Sequence, residues 1–158
     1  MEEVFVNIGE IKVLTQEGRL VAVGLGSCVG LILYDALAKV GGMAHVFLPT
    51  NRKGGDNPHP GKFADTAVAA MVEQMTALGA QKRRLKAKMA GGSQLFSYGA
   101  SVMDVGRQNV EALQRELQTA GIPLVASDVL GSRGRKLIFD VGTGQVLVFV
   151  IGQEPVEL

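Results

Sequence analysis

Nine short runs of continuous or alternating apolar residues set the tightest limit on what this chain can fold into. They are Val4 to Asn7, Ile11 to Leu14, Arg19 to Gly24, Val29 to Tyr34, Val40 to Phe47, Arg84 to Ala90, Pro123 to Asp128, Lys136 to Asp140 and Gln145 to Val150. Runs of this length and pattern predict strands. Only two stretches carry helical spacing. From Phe63 to Leu78 the apolar positions Phe63, Ala67, Met71, Met75 and Leu78 recur, and Gly79 offers a stop. From Gly106 to Ala120 the positions are Val110, Leu113 and Leu117, ended by Gly121 and Pro123. Two helices against so many strands predict a layered α+β domain rather than a doubly wound parallel sheet. At 158 residues, 47% of them apolar, one domain spanning 1–158 can bury a full core.

Asp35-Ala36-Leu37-Ala38-Lys39 reads as a hairpin connection between the fourth and fifth runs. That hairpin matters because it brings together two chemically unusual positions. Cys28, the one cysteine, lies in Gly24-Leu25-Gly26-Ser27-Cys28 at the end of an apolar run. His45 lies on the next strand, in Met43-Ala44-His45-Val46-Phe47-Leu48-Pro49. A buried inert thiol is the ordinary fate of a lone cysteine. Flanking glycines serve another purpose, letting the backbone turn sharply and aim N–H groups at a bound carbonyl. The amides around Gly26, Ser27 and Cys28 are therefore candidates for an oxyanion site, and His45 for the base that activates the thiol. The other histidine, His59, sits between two prolines and is expected to face solvent.

Three further segments stand out. Ala90-Gly91-Gly92-Ser93 ends a strand, where Gly91 and Gly92 suit a bulge, a turn or a wall against substrate. Thr50 to Lys62, rich in Gly, Pro, Asn and Lys, is a loop just past His45, either a lid or a plain connection. Arg84, Lys86 and Lys88 alternate onto one strand face, which is expected to be solvated, with docking of an acidic partner as the rarer use.

Composition narrows the chemistry. One cysteine and two histidines are too few for a zinc site, so no metal is expected. A net charge of +1 implies no nucleic-acid partner. No apolar stretch reaches the ~18 residues of a membrane span, and the acidic start Met1-Glu2-Glu3 does not suit a signal peptide. A single cysteine fits a reducing cytoplasm. No P-loop is present, and Gly24-Leu25-Gly26-Ser27-Cys28 places Cys where a Gly-x-Ser-x-Gly elbow needs Gly.

In order along the chain, the blocks Gly24-Leu25-Gly26-Ser27-Cys28-Val29, Met43 to Pro49, Pro60-Gly61-Lys62-Phe63-Ala64-Asp65-Thr66-Ala67, Lys88-Met89-Ala90-Gly91-Gly92, Val105-Gly106 with Asn109-Val110, and Gly134-Arg135 resemble the chemoreceptor glutamine deamidases of bacterial chemotaxis, the CheD family. The resemblance implies a layered α/β/β sandwich, similar to the catalytic domains of certain deamidating toxins. It implies a cysteine hydrolase that converts glutamines on receptor cytoplasmic helices to glutamates, releasing ammonia through a thioester. Cys28 falls on the nucleophile and His45 on the base. A glutamyl methyl ester would give the same thioester, so weak methylesterase activity is chemically consistent. No cofactor is implied, and a CheC-type phosphatase is the implied partner. The chain departs from the family pattern where Ala22 replaces a common threonine, where Gln108 replaces an arginine, and at Leu130-Gly131. Without a hydroxyl at position 22, a backbone carbonyl must orient the imidazole, or activity is reduced. Two other readings use the same residues: an adaptor that holds the phosphatase without catalysis, and a papain-like thiol hydrolase acting on backbone amides.

Overall fold

The nine expected runs all form strands in the computed structural model, which describes residues 2–51, 57–95 and 104–158. The strands are β1 (Glu3–Phe5), β2 (Ile11–Thr15), β3 (Arg19–Leu25), β4 (Val29–Asp35), β5 (Val40–Val46), β6 (Lys86–Gly91), β7 (Leu124–Val129), β8 (Arg135–Asp140) and β9 (Val146–Phe149). A tenth, β10 (Val156–Glu157), escaped the sequence reading because two residues carry no period. The helices are α1 (Ala64–Ala77) and α2 (Val105–Ala120). Asp104 caps α2, its Oδ1 accepting from the Arg107 N–H at 3.0 Å, and Gly121 ends the helix at φ 73°. Two expectations from the pattern are overturned. Arg84 belongs to a 3-10 turn, Lys82–Arg84, rather than to β6. Pro60–Lys62, expected to be loop, is a second such turn.

The strands make two five-stranded mixed sheets, ordered β1-β3-β8-β9-β10 and β2-β5-β4-β6-β7. Side-chain alternation assigns the faces of the second sheet. Val29, Leu31 and Leu33 of β4, with Val40, Ala44 and Val46 of β5, pack against Ala67, Val68, Met71 and Met75 of α1 and Leu113 and Leu117 of α2. The opposite face, with Ile32 and Met43, packs against Leu20, Leu137, Phe139 and Val148 of the first sheet. Helices, sheet and sheet therefore form three layers with two apolar seams, an α+β arrangement. The methionines at 71 and 75 are wholly buried core. No helix among the described residues is long and apolar enough to cross a membrane.

The basic stripe is not the freely solvated face expected of it. Arg84 turns to Asp35, with Nε 2.9 Å from Oδ2, and Lys88 Nζ donates to Leu158 O at 2.6 Å. Lys86 and Lys88 border a cleft of about 500 Å³ between the two sheets, floored by Ile32, Phe139 and Val146. Asp35 is fully buried, and burial alone would raise its pKa. Donation from the Gln81 and Ala38 amides and from Arg84 outweighs that and holds it below the ordinary carboxylate value.

Candidate active site

Cys28 sits where the chain leaves one sheet for the other. β3 ends at Leu25, Gly24 adopts φ 66°, and the Gly26 N–H closes on the Gly24 carbonyl at 3.0 Å before β4 begins at Val29. Cys28 belongs to the apolar cluster in the seam between the sheets, together with Ala22, Leu25 and Leu137, and is 6% exposed. β4 and β5 form the expected antiparallel hairpin, pairing Gly30 with His45 and Val29 with Val46. Residues opposite each other share a face, so His45 points into the same seam as Met43, next to the position of Gly30. Cys28 lies two residues before Gly30, on that side of the sheet. Thiol and imidazole thus stand on one face, one strand apart.

The His45 imidazole is nearly buried, and its Nδ1 lies 2.9 Å from the Val6 carbonyl oxygen. A carbonyl can only accept, so Nδ1 carries the hydrogen and Nε2 presents a lone pair. Nε2 is buried without a partner among the described residues. Val6 follows β1 and is anchored by its own N–H on Val21 O at 2.8 Å. It orients the ring without the hydroxyl that Ala22 lacks.

Burial pushes the Cys28 thiol above its ordinary pKa. Burial also lowers His45, outweighing the Val6 carbonyl and Glu10, which act in the opposite sense. Both shifts favour the uncharged forms, so the resting pair is thiol and imidazole. The sign is checkable. Any rate that depends on neutral His45 is expected to hold at neutral pH and to fall only below the ordinary imidazole value of ~6.5. Iodoacetamide labelling of Cys28 is expected to keep rising through pH ~8.5, where an ordinary thiol half-ionises. Labelling that has already levelled off at pH ~7 would instead reveal a preformed thiolate–imidazolium pair.

All three carbonyls of the turn are engaged. Gly26 O accepts from the Ser93 N–H at 2.9 Å and Ser93 Oγ at 2.8 Å. Ser27 O accepts from Asn109 Nδ2 at 2.9 Å, and Cys28 O from the Gly92 N–H at 2.9 Å. The Gly26 and Gly92 amides are thereby committed. The Ser27 and Cys28 amides find no acceptor among the described residues. Gly91 and Gly92 lie behind the turn. A Cβ on Gly91 would come 2.3 Å from Cys28 O, and one on Gly92 would come 2.4 Å from Val110 Cγ2. Their φ values, 115° and 69°, are also glycine territory. Leu95 overlies Gly26 and is half exposed, and Phe47 is exposed nearby in sequence to His45. His59 is exposed in the loop before α1. Of the stretch from Thr50 to Lys62, expected as a lid or a plain connection, residues 52–56 lie outside the described residues.

Sequence reasoning connected neither Val6 with His45 nor Ser93, Asn109 and Arg135 with the strand ends around the turn. Arg135 reaches from β8 to Leu130 O at 2.8 Å and Asp128 Oδ1 at 3.2 Å, bracing the strand end beside Gly91. Asn109 had a sequence signal: a polar residue four before Leu113, on the buried side of α2. Val6 had none, since any residue type supplies a carbonyl.

Comparison with known proteins places the chain in a family. The CheD family profile, described as CheD chemotactic sensory transduction, matches residues 47–149. A protein of Moorella thermoacetica named "Probable chemoreceptor glutamine deamidase CheD" is 44% identical over 155 residues, covering 96% of this chain and 93% of its own length. A protein of the same name from Clostridium botulinum strain Hall is 40% identical over 154 residues, covering 96% and 95%.

Proposed function

Because the chain belongs to the CheD family, we propose that it is a chemoreceptor glutamine deamidase working through Cys28 and His45. The observation that carries the reading is the recessed thiol, which shares a sheet face with an imidazole whose free nitrogen is a lone pair. His45 Nε2 takes the Cys28 proton as the sulfur attacks the carboxamide carbon of a glutamine. The carbonyl electron pair moves to oxygen, where the Ser27 and Cys28 amides receive it. The tetrahedral adduct collapses, the C–N bond breaks, and His45 returns the proton to nitrogen, releasing ammonia and leaving a thioester. Water deprotonated by His45 then adds to the thioester, and the thiolate leaves with the proton. The products are glutamate and the original pair. The same thioester would arise from a glutamyl methyl ester with methanol leaving, so a weak methylesterase activity is consistent with this chemistry.

A thiol this recessed suits a carboxamide on two methylenes better than a backbone amide, which needs an open groove for extended peptide. The half-exposed Leu95 and exposed Phe47 offer apolar contact for a receptor helix around the inserted side chain. The test is peptide mass spectrometry of a receptor cytoplasmic fragment incubated with the protein in H₂¹⁸O. Deamidation through a thioester is expected to add about 3 Da at a few glutamines, one ¹⁸O entering from water. Receptor glutamines that stay unmodified across several receptors would defeat the reading.

A further inference from the structure

We propose that Asn109 and Ser93 are positioning residues that aim the Ser27 and Cys28 amides at the substrate oxygen. This inference deepens, and rests on, the deamidase reading. The described peptide bonds are trans, so each C=O points opposite to the N–H of the same peptide unit. Ser93 draws the Gly26 carbonyl toward itself with two donors, which turns the Ser27 N–H the other way. Asn109 Nδ2 draws the Ser27 carbonyl at 2.9 Å and turns the Cys28 N–H away likewise. Ser93 and the start of α2 are neighbours: a Cβ on Gly106 would stand 2.5 Å from Ser93 O. Both carbonyls are therefore pulled toward one side of the turn, and both amides are turned to the other. Two successive N–H groups turned out of a sharp turn form an anion-binding concavity. These are the same two amides that lack acceptors among the described residues.

Asn109 does more than fill space. It is fully buried, and its second amide hydrogen goes to Phe47 O at 3.1 Å, two residues beyond His45. One carboxamide thus ties the nucleophile's turn to the end of the histidine's strand. Since both contacts are carbonyl oxygens, the amide nitrogen must face them. Oδ1 is left buried with no partner among the described residues. Orphaned buried acceptors are uncommon. An arrangement that keeps one is explained when both hydrogens of that amide are needed where they are.

The experiment separates chemistry that makes an oxyanion from chemistry that does not. A peptide with an aldehyde in place of the glutamine carboxamide adds Cys28 to its carbonyl, moving the electron pair to an oxygen in the oxyanion position. Iodoacetamide alkylates the same sulfur with iodide leaving and no oxyanion. Asn109→Ala is expected to weaken aldehyde binding and lower kcat by about 10- to 100-fold, a fraction of the 10²–10³ for deleting an oxyanion donor outright. KM and the iodoacetamide rate are expected to stay within about twofold, since neither depends on the oxyanion. Ser93→Ala keeps the Ser93 N–H bond and is expected to lose about 3- to 10-fold, serving also if Asn109→Ala does not fold. Unchanged aldehyde affinity in both variants, or aldehyde affinity and iodoacetamide rate falling in step, overturns the positioning role. A wild type that forms the aldehyde adduct but deamidates no receptor overturns the deamidase reading alone.

Discussion

Cys28→Ala is expected to abolish receptor deamidation, lowering the rate by about 10⁴-fold or more, the scale seen when a covalent nucleophile is deleted. The reason is chemical rather than structural. Every proposed step passes through a bond to sulfur, and water in its place would have to attack a carboxamide directly. The fold is expected to survive, because the thiol occupies an apolar cluster where alanine leaves a void of about one atom, costing ~1 kcal/mol. Cys28→Ser is the sharper control. It keeps the shape but offers a hydroxyl with a far higher pKa, in a seam where burial already disfavours ionisation of the thiol. Residual turnover of a percent or more in both variants, measured as ¹⁸O incorporation at glutamine, would remove the thiol from the mechanism.

Gly91→Ala is expected to be the most damaging single methyl in the molecule. Its Cβ would meet Cys28 O at 2.3 Å, a backbone atom already held by the Gly92 N–H and unable to rotate aside. At φ 115° a side chain also strains the backbone. Strain of ~1–3 kcal/mol and overpacking of similar size add to about 4 kcal/mol. That corresponds to a fall in Tm of roughly 10 °C for a domain of this size. Because the relief must come from the Cys28 turn, activity is expected to fall further than stability accounts for, even at temperatures where the variant remains folded. A variant with wild-type Tm and rate would show that β6 does not brace the turn. Gly79→Ala, whose Cβ would meet nothing within 4 Å, is the comparison for backbone strain without collision.

The strands were legible in the sequence because apolar periodicity is local. Boundaries moved by one or two residues, as at β1, where Val6 continues the apolar run but leaves the strand to serve His45. Arg84 failed as a strand residue for a non-local reason. Its alternation with Lys86 and Lys88 is genuine, yet its guanidinium is claimed by Asp35, 49 residues earlier. The 3-10 turn at Pro60–Lys62 was hidden in a segment whose composition reads only as loop. Its place is set by Phe47 and Leu48, whose amides both donate to Lys62 O.

For the site, the sequence by itself determined the hairpin that pairs the strand following Cys28 with the strand of His45, and the glycines that let the chain turn there. Both rest on short-range facts, a two-residue period and the conformational freedom of glycine. Only the tertiary structure decided what holds the pair. Val6 orients the imidazole from 39 residues away, and Asn109 grips the turn from 82 residues away. The three carbonyls of the turn receive partners from Gly92 and Ser93, just after β6, and from Asn109 of α2. A carbonyl is common to every residue, so no pattern of side chains can announce which one will face a histidine. That is settled only when two sheets and a helix close around the same few ångströms.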